Sequence, residues 1–225
     1  MTLFAFLRNG LDRLPGASDR RRTAAGVIAG VILGALSGCV LPEVDKPITL
    51  YTLTPKTTYA EPLPQANWQL VVDPPNAAAA LDTARVALAR SPYTIEYYAG
   101  ATWTDNAPAM IQTLLIESFE STGSIVAVGR EAIGLRPDYI LKTDLREFQA
   151  VYQEGDAVPT VWVRMNAKLV EMPDRRIIAS ETFEQRVKAG GRRFPDVIDA
   201  FDQALGTVLK NIVVFTLTTP AREGV

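Results

Sequence analysis

Cys39 is the only cysteine in the chain, and what precedes it decides how much of the chain can fold. It follows Leu36-Ser37-Gly38 and a short apolar run from Ala24 to Ala35, which comes after Arg20-Arg21-Arg22. A basic region, an apolar stretch of about ten to fifteen residues and small residues at a cut site make a secretory signal. Residues 1–38 are therefore expected to be cleaved. Two other readings are weaker. Spanning a bilayer takes about 20 apolar residues, more than this run supplies. A core helix here would bury Gly26, Gly30 and Gly34, each costing roughly 1 kcal/mol against alanine.

The small residues Leu36, Ser37 and Gly38 before a lone cysteine resemble the lipobox of bacterial lipoproteins. That resemblance implies that Cys39 is acylated and becomes the mature N-terminus. No cofactor is implied beyond this covalent lipid. Val40, not aspartate, follows the cysteine, which by analogy with lipoprotein sorting favours the periplasmic face of the outer membrane. Residues 39–47, with Pro42 and Pro47, read as a short tether to the folded part.

The chain contains no histidine. It therefore has no Ser-His-Asp triad, no imidazole base and no His-based zinc or iron site. No metal-ligand spacing appears. With its one thiol acylated, thiolate chemistry and disulfides also fall away. A net charge of −2 gives no electrostatic footprint for nucleic acid.

The pattern from Ile48 onward predicts strands at Ile48–Leu53 and Trp68–Val72, with a proline-bearing loop between them. Two more strands, Leu81–Ala89 and Tyr93–Tyr98, form a hairpin around Ser91-Pro92. Asp105 or Thr104 caps a helix with Pro108 in its first turn. Ala107, Ile111, Leu114, Leu115 and Phe119 share one face of that helix, and Gly123 supplies its left-handed stop. Ile125–Val128 is a strand, as is Asp138–Tyr152, whose alternation slips between Leu141 and Phe148 and so predicts a bulge. Thr160–Glu171 alternates most clearly, with Val161, Val163, Met165, Ala167 and Leu169 on one side. Ile177–Val187 completes a three-stranded meander. Pro195 opens a last helix with Asp196, Asp199 and Asp202 near its N-terminus. One domain over 48–217 is expected, then a loose tail, 218–225. The fold class is α+β: a two-layer sandwich of one mostly antiparallel sheet with two amphipathic helices on one face. The other face is left polar and available to a partner.

Several segments, taken in order behind the lipobox, carry a resemblance. They are Tyr51-Thr52-Leu53; Ile95-Glu96-Tyr97-Tyr98-Ala99-Gly100-Ala101-Thr102-Trp103; Leu114-Leu115-Ile116-Glu117-Ser118-Phe119; Tyr139-Ile140-Leu141 through Asp144-Leu145-Arg146-Glu147-Phe148; and Phe194-Pro195. The series is similar to the ABC-type transport auxiliary lipoproteins over nearly all of the chain beyond Cys39. The resemblance implies a non-enzymatic component of an envelope lipid-transport system. Its partners would be a mammalian-cell-entry (MCE) domain protein, a permease and an ATPase. The lipoprotein would dock the MCE protein at the outer membrane and support envelope lipid homeostasis.

Each candidate residue has two readings. Tyr97, Tyr98 and Trp103 form a docking patch, since Tyr and Trp are enriched at interface hot spots, or they are core and rim residues where strand meets helix. Arg192 and Arg193, beside Gly190-Gly191, touch lipid headgroups or a partner, or form a flexible surface turn. Asp144, Arg146 and Glu147 form an interface charge cluster, or a solvated strand face with local pairing that is worth little. Glu181 and Glu184 imitate a glycosidase carboxylate pair, but a strand would turn them to opposite sides. Three functions compete: transport auxiliary, structural outer-membrane assembly lipoprotein without an ABC partner, and carboxylate or Ser-Lys hydrolase. Docking onto a ring-shaped partner would suit a homo-oligomer, yet no residue requires one.

Overall fold

The computed structural model describes residues 47–222 except 61 and 132–135. Leu36, Ser37, Gly38, Cys39 and most of the tether lie outside the described residues. The elements in order are β1 (Thr49–Tyr51), β2 (Ala66–Val72), β3 (Asn76–Ala77), β4 (Arg85–Ser91), β5 (Thr94–Trp103), α1 (Ala107–Glu120), β6 (Ile125–Gly129), β7 (Tyr139–Val151), β8 (Thr160–Glu171), β9 (Arg176–Lys188) and α2 (Phe194–Arg222).

The strands form one mixed sheet organised around β7. Along one edge β7 pairs antiparallel with β8, and β8 with β9, giving the expected meander. Its other edge is divided between three strands, all parallel to it. β2 pairs near its start, β3 in the middle and β4 near its end. β4 turns back antiparallel into β5 through the Ser91-Pro92 hairpin, and β1 lies parallel against β5. The long ladders are thus antiparallel and the joins between them parallel. The slip in β7 falls between Leu145 and Glu147 as a register shift against β8.

Both helices cover one face of this sheet. α1 packs on β2, β6 and α2, while α2 packs on β8 and β9. The alternating set Val161, Val163, Met165, Ala167 and Leu169 is fully buried beneath them. At the centre Trp103, Phe148 and Phe201 interlock, with centroids 5.1–5.5 Å apart in tilted and edge-on arrangements that suit the aromatic quadrupoles.

Three sequence expectations need correction. The N-cap of α1 is Asn106, not Asp105 or Thr104, and its side chain makes no capping bond. The Asp105 carboxylate instead accepts from the Asn106 amide at 2.7 Å, and the first helical amide, Ala107, donates to the Thr83 carbonyl. β5 runs on to Trp103, past the expected end at Tyr98. Residues 218–222 are not a loose tail, since α2 continues to Arg222 and Thr219 is buried; 223–225 lie outside the described residues. Thr216, Thr218 and Thr219 each donate a hydroxyl to the carbonyl four residues back, at 2.7–2.8 Å. That local satisfaction lets a polar-looking sequence stay helical against the core.

Candidate functional site

Trp103 is 1% exposed and belongs to the aromatic core, so it is not part of a docking patch. Tyr97 is half-buried and spent locally: its hydroxyl donates to the Ala80 carbonyl, and the Arg85 guanidinium lies 3.4 Å from its ring centre. Arg193 is tied to Asp196 by an ion pair at 2.8 Å, which holds the Asp196 carboxyl below its ordinary range. Tyr98 and Arg192 are the two candidates that the fold brings together.

They meet in a cleft of about 380 Å³ between β5 and the start of α2, lined also by Tyr51, Gly100, Tyr152 and Phe194. Phe194 sits edge-on to Tyr51 at 5.0 Å and to Tyr98 at 4.8 Å. The Tyr98 and Tyr152 hydroxyls share a hydrogen bond of 2.9 Å. Burial, and then that bond, push the Tyr98 phenol well above its ordinary range, so it stays neutral. Arg90 stacks on Tyr152 at 4.8 Å and pairs with Glu96 at 3.5 Å. Gly100 lies in the left-handed region, φ +71°, and the β4–β5 register shifts nearby. From Arg85–Thr102 to Ala87–Tyr97, β5 advances five residues against two on β4; a left-handed glycine accommodates such a bulge, which turns Tyr98 towards α2. The sequence analysis missed Tyr152 and Phe194 as partners of Tyr98, because they come from distant elements with no local spacing to signal them.

The outer sheet face, away from the helices, is a second surface. On β8 it carries Trp162, Arg164, Asn166 and Lys168, alternating with the buried set. The Arg186 guanidinium lies 3.9 Å from the Trp162 ring centre, and Arg164 pairs with Glu147 at 3.0 Å. Burial nevertheless pushes the Glu147 carboxyl up, outweighing the pull of Arg164. Lys168 donates to Asp144 at 2.8 Å and holds its carboxyl low. At one end of this face Val71, Ile140, Val170, Met172 and Ile177 wall a cleft of about 380 Å³, which Asp73, Glu131, Lys142 and Arg175 also line. Glu184 lies across from Arg164 on this face. Glu181 stands opposite Ala167 and points the other way, so the two do not form a carboxylate pair. Among the described residues no group of His, Cys, Asp or Glu could hold a metal ion, and no helix is long and apolar enough to cross a membrane.

This architecture has known relatives. A crystal structure of protein XCC0632 from Xanthomonas campestris, of family DUF330, matches with a TM-score of 0.73 and 34% identity over 78% of this chain and 98% of that one. A second solved structure shares the fold at a TM-score of 0.58 and 15% identity, over 75% of this chain and 97% of that one. Protein bll6063 of Bradyrhizobium diazoefficiens is 26% identical over 214 residues, 95% of this chain but 54% of that protein. The chain thus spans about half the length of that relative. The family model for the ABC-type transport auxiliary lipoprotein component matches residues 51–213, from the end of β1 deep into α2. The chain belongs to the ABC-type transport auxiliary lipoprotein family.

Proposed function

We propose that this chain is the lipid-anchored periplasmic auxiliary component of an MCE-type ABC lipid transporter, anchored through Cys39 and docking the MCE-domain protein at the outer membrane. The observation that carries the reading is the family match across residues 51–213. The outer sheet face supports it. Trp162 with two arginines at one end and a cleft walled in part by aliphatic side chains at the other combine the aromatic, Arg and apolar elements that anchor interfaces. Gln149 Oε1, Trp162 Nε1 and Asn166 Oδ1 on this face have no hydrogen-bond partner among the described residues. The acyl chains on Cys39 would supply the attachment, at about 0.8 kcal/mol per buried methylene.

The test is capture in living cells. The chain is tagged, cross-linked in the envelope, solubilised, and its partners identified by mass spectrometry beside a Cys39→Ala control. Enrichment of an MCE-domain protein, with permease and ATPase behind it, is expected from the acylated chain. Recovery of outer-membrane assembly or peptidoglycan-linked proteins alone would sink the transport reading and promote the structural one.

A further inference from the structure

We propose that the cleft between β5 and the start of α2 binds the phosphate headgroup of an anionic phospholipid, with Arg192 as the anion-binding side chain and the rings of Tyr51, Tyr98 and Phe194 against the less polar glycerol region.

Arg192 is the only charged side chain lining the cleft, and no carboxylate lines it. Arg192 is exposed, and among the described residues it makes no ion pair or hydrogen bond, whereas its neighbour Arg193 is held by Asp196. A guanidinium with no counter-charge presents a planar fork of donors that matches phosphate oxygens. The Tyr98–Tyr152 hydroxyl pair uses one of its two protons internally, which leaves one O–H to donate to the same anion. At Gly100 a Cβ would meet nothing within 4 Å, so that wall is bare and open to a ligand. Four aromatic side chains around one cation favour an amphiphile over a fully hydrated ion.

A membrane source follows from the chain path, and this step rests on the lipid-anchor reading. β1 lines the cleft through Tyr51, twelve positions beyond Cys39, and is the first strand of the described residues. Twelve residues of extended chain span at most roughly 40 Å, so the cleft stays within reach of the bilayer that holds the anchor. Ile48 and Leu50, 65% and 64% exposed, offer apolar side chains beside that path.

The test is calorimetric titration of the full acylated chain held in amphipol. The probes are dihexanoylphosphatidylglycerol below its micelle concentration, glycerol 3-phosphate and inorganic phosphate. The lipid is expected to bind at least about tenfold more tightly than either phosphate, and Arg192→Gln to weaken it about tenfold, the scale of one lost charge-assisted hydrogen bond. Arg192→Lys should restore part of that loss. Unchanged lipid binding by Arg192→Gln, or no lipid binding at all, overturns the proposal. Equal affinity for inorganic phosphate also overturns it, making the cleft a free-anion site. Capture of the MCE protein by Arg192→Gln separates this outcome from the docking reading. Lost lipid binding with intact capture supports both, while lipid binding without capture in any variant sinks docking alone.

Discussion

Tyr98 and Trp103 stand five residues apart on β5, yet both pack against α2: Tyr98 meets Phe194 at 4.8 Å and Trp103 meets Phe201 at 5.2 Å. A regular strand would send residues at an odd spacing to opposite faces. Gly100, left-handed between them, lies in the stretch of β5 that bulges against β4 and turns Tyr98 back to the helix side. The aromatic cleft exists because of that bulge.

Gly100→Ala is therefore expected to destabilise the domain by about 1–2 kcal/mol, the cost of a side chain in left-handed backbone. A Cβ there meets no neighbour, so the cost is conformational and not steric. Urea unfolding measures it. Unchanged stability would mean that β5 does not need the bulge.

Phe201 completes the buried triad with Trp103 and Phe148. Phe201→Ala should cost about 3–5 kcal/mol, the range for deleting a buried aromatic ring. A midpoint shift in urea at constant slope is the expected result. A loss under about 1 kcal/mol would place the core elsewhere.

Leu217, 2% exposed, lies in the last turns of α2 and tests how firmly the end of that helix packs on the core. Leu217→Ala should lose about 2–3 kcal/mol by thermal or urea denaturation. A silent substitution would mean that the end of α2 does not pack on the core.

Asp144 is held below its ordinary carboxyl range chiefly by the Lys168 hydrogen bond. A depressed folded value means the native state binds fewer protons than the unfolded one. The pair therefore contributes stability that is complete above the ordinary carboxyl pKa, near 4, and is lost as pH falls through the lower folded value. The site is largely solvated, so Asp144→Asn should cost no more than about 1 kcal/mol at pH 7. The difference from the parent should fade in denaturation curves taken at pH 3 and below. A constant difference from pH 7 to pH 2 would contradict the ion pair.

Trp162 and Arg186 stack on the outer sheet face without supporting the core. Trp162→Ala with Arg186→Glu should cut cross-linked capture of the MCE protein severalfold and leave the melting temperature within a few degrees, because the change falls on interface groups. Full capture by the double variant would move the docking surface off this face.

The sequence by itself determined the elements whose signal is local. Alternation in β8 depends only on successive residues facing opposite ways, and the Ala107-Ile111-Leu114-Leu115-Phe119 stripe needs only helical periodicity, so both stand as read. The β7 bulge was legible for the same reason, since a slipped alternation is written in neighbouring residues. Tertiary structure decided whatever depended on a distant partner. The reading of Trp103 stays divided between patch and core until α2 folds over it, and Thr218 and Thr219 read as tail until β9 offers α2 a surface to pack on, with Phe183 edge-on to Phe215 at 5.6 Å. The division of one β7 edge among β2, β3 and β4 is likewise a matter of long-range pairing, which propensity does not encode. The cleft draws on β1, β5, Tyr152 just past β7, and Arg192 with the start of α2, segments far apart in the chain, so no stretch of sequence contains it. Only chain closure sets Arg192 beside four aromatic rings, and that juxtaposition gives an exposed arginine a specific chemistry.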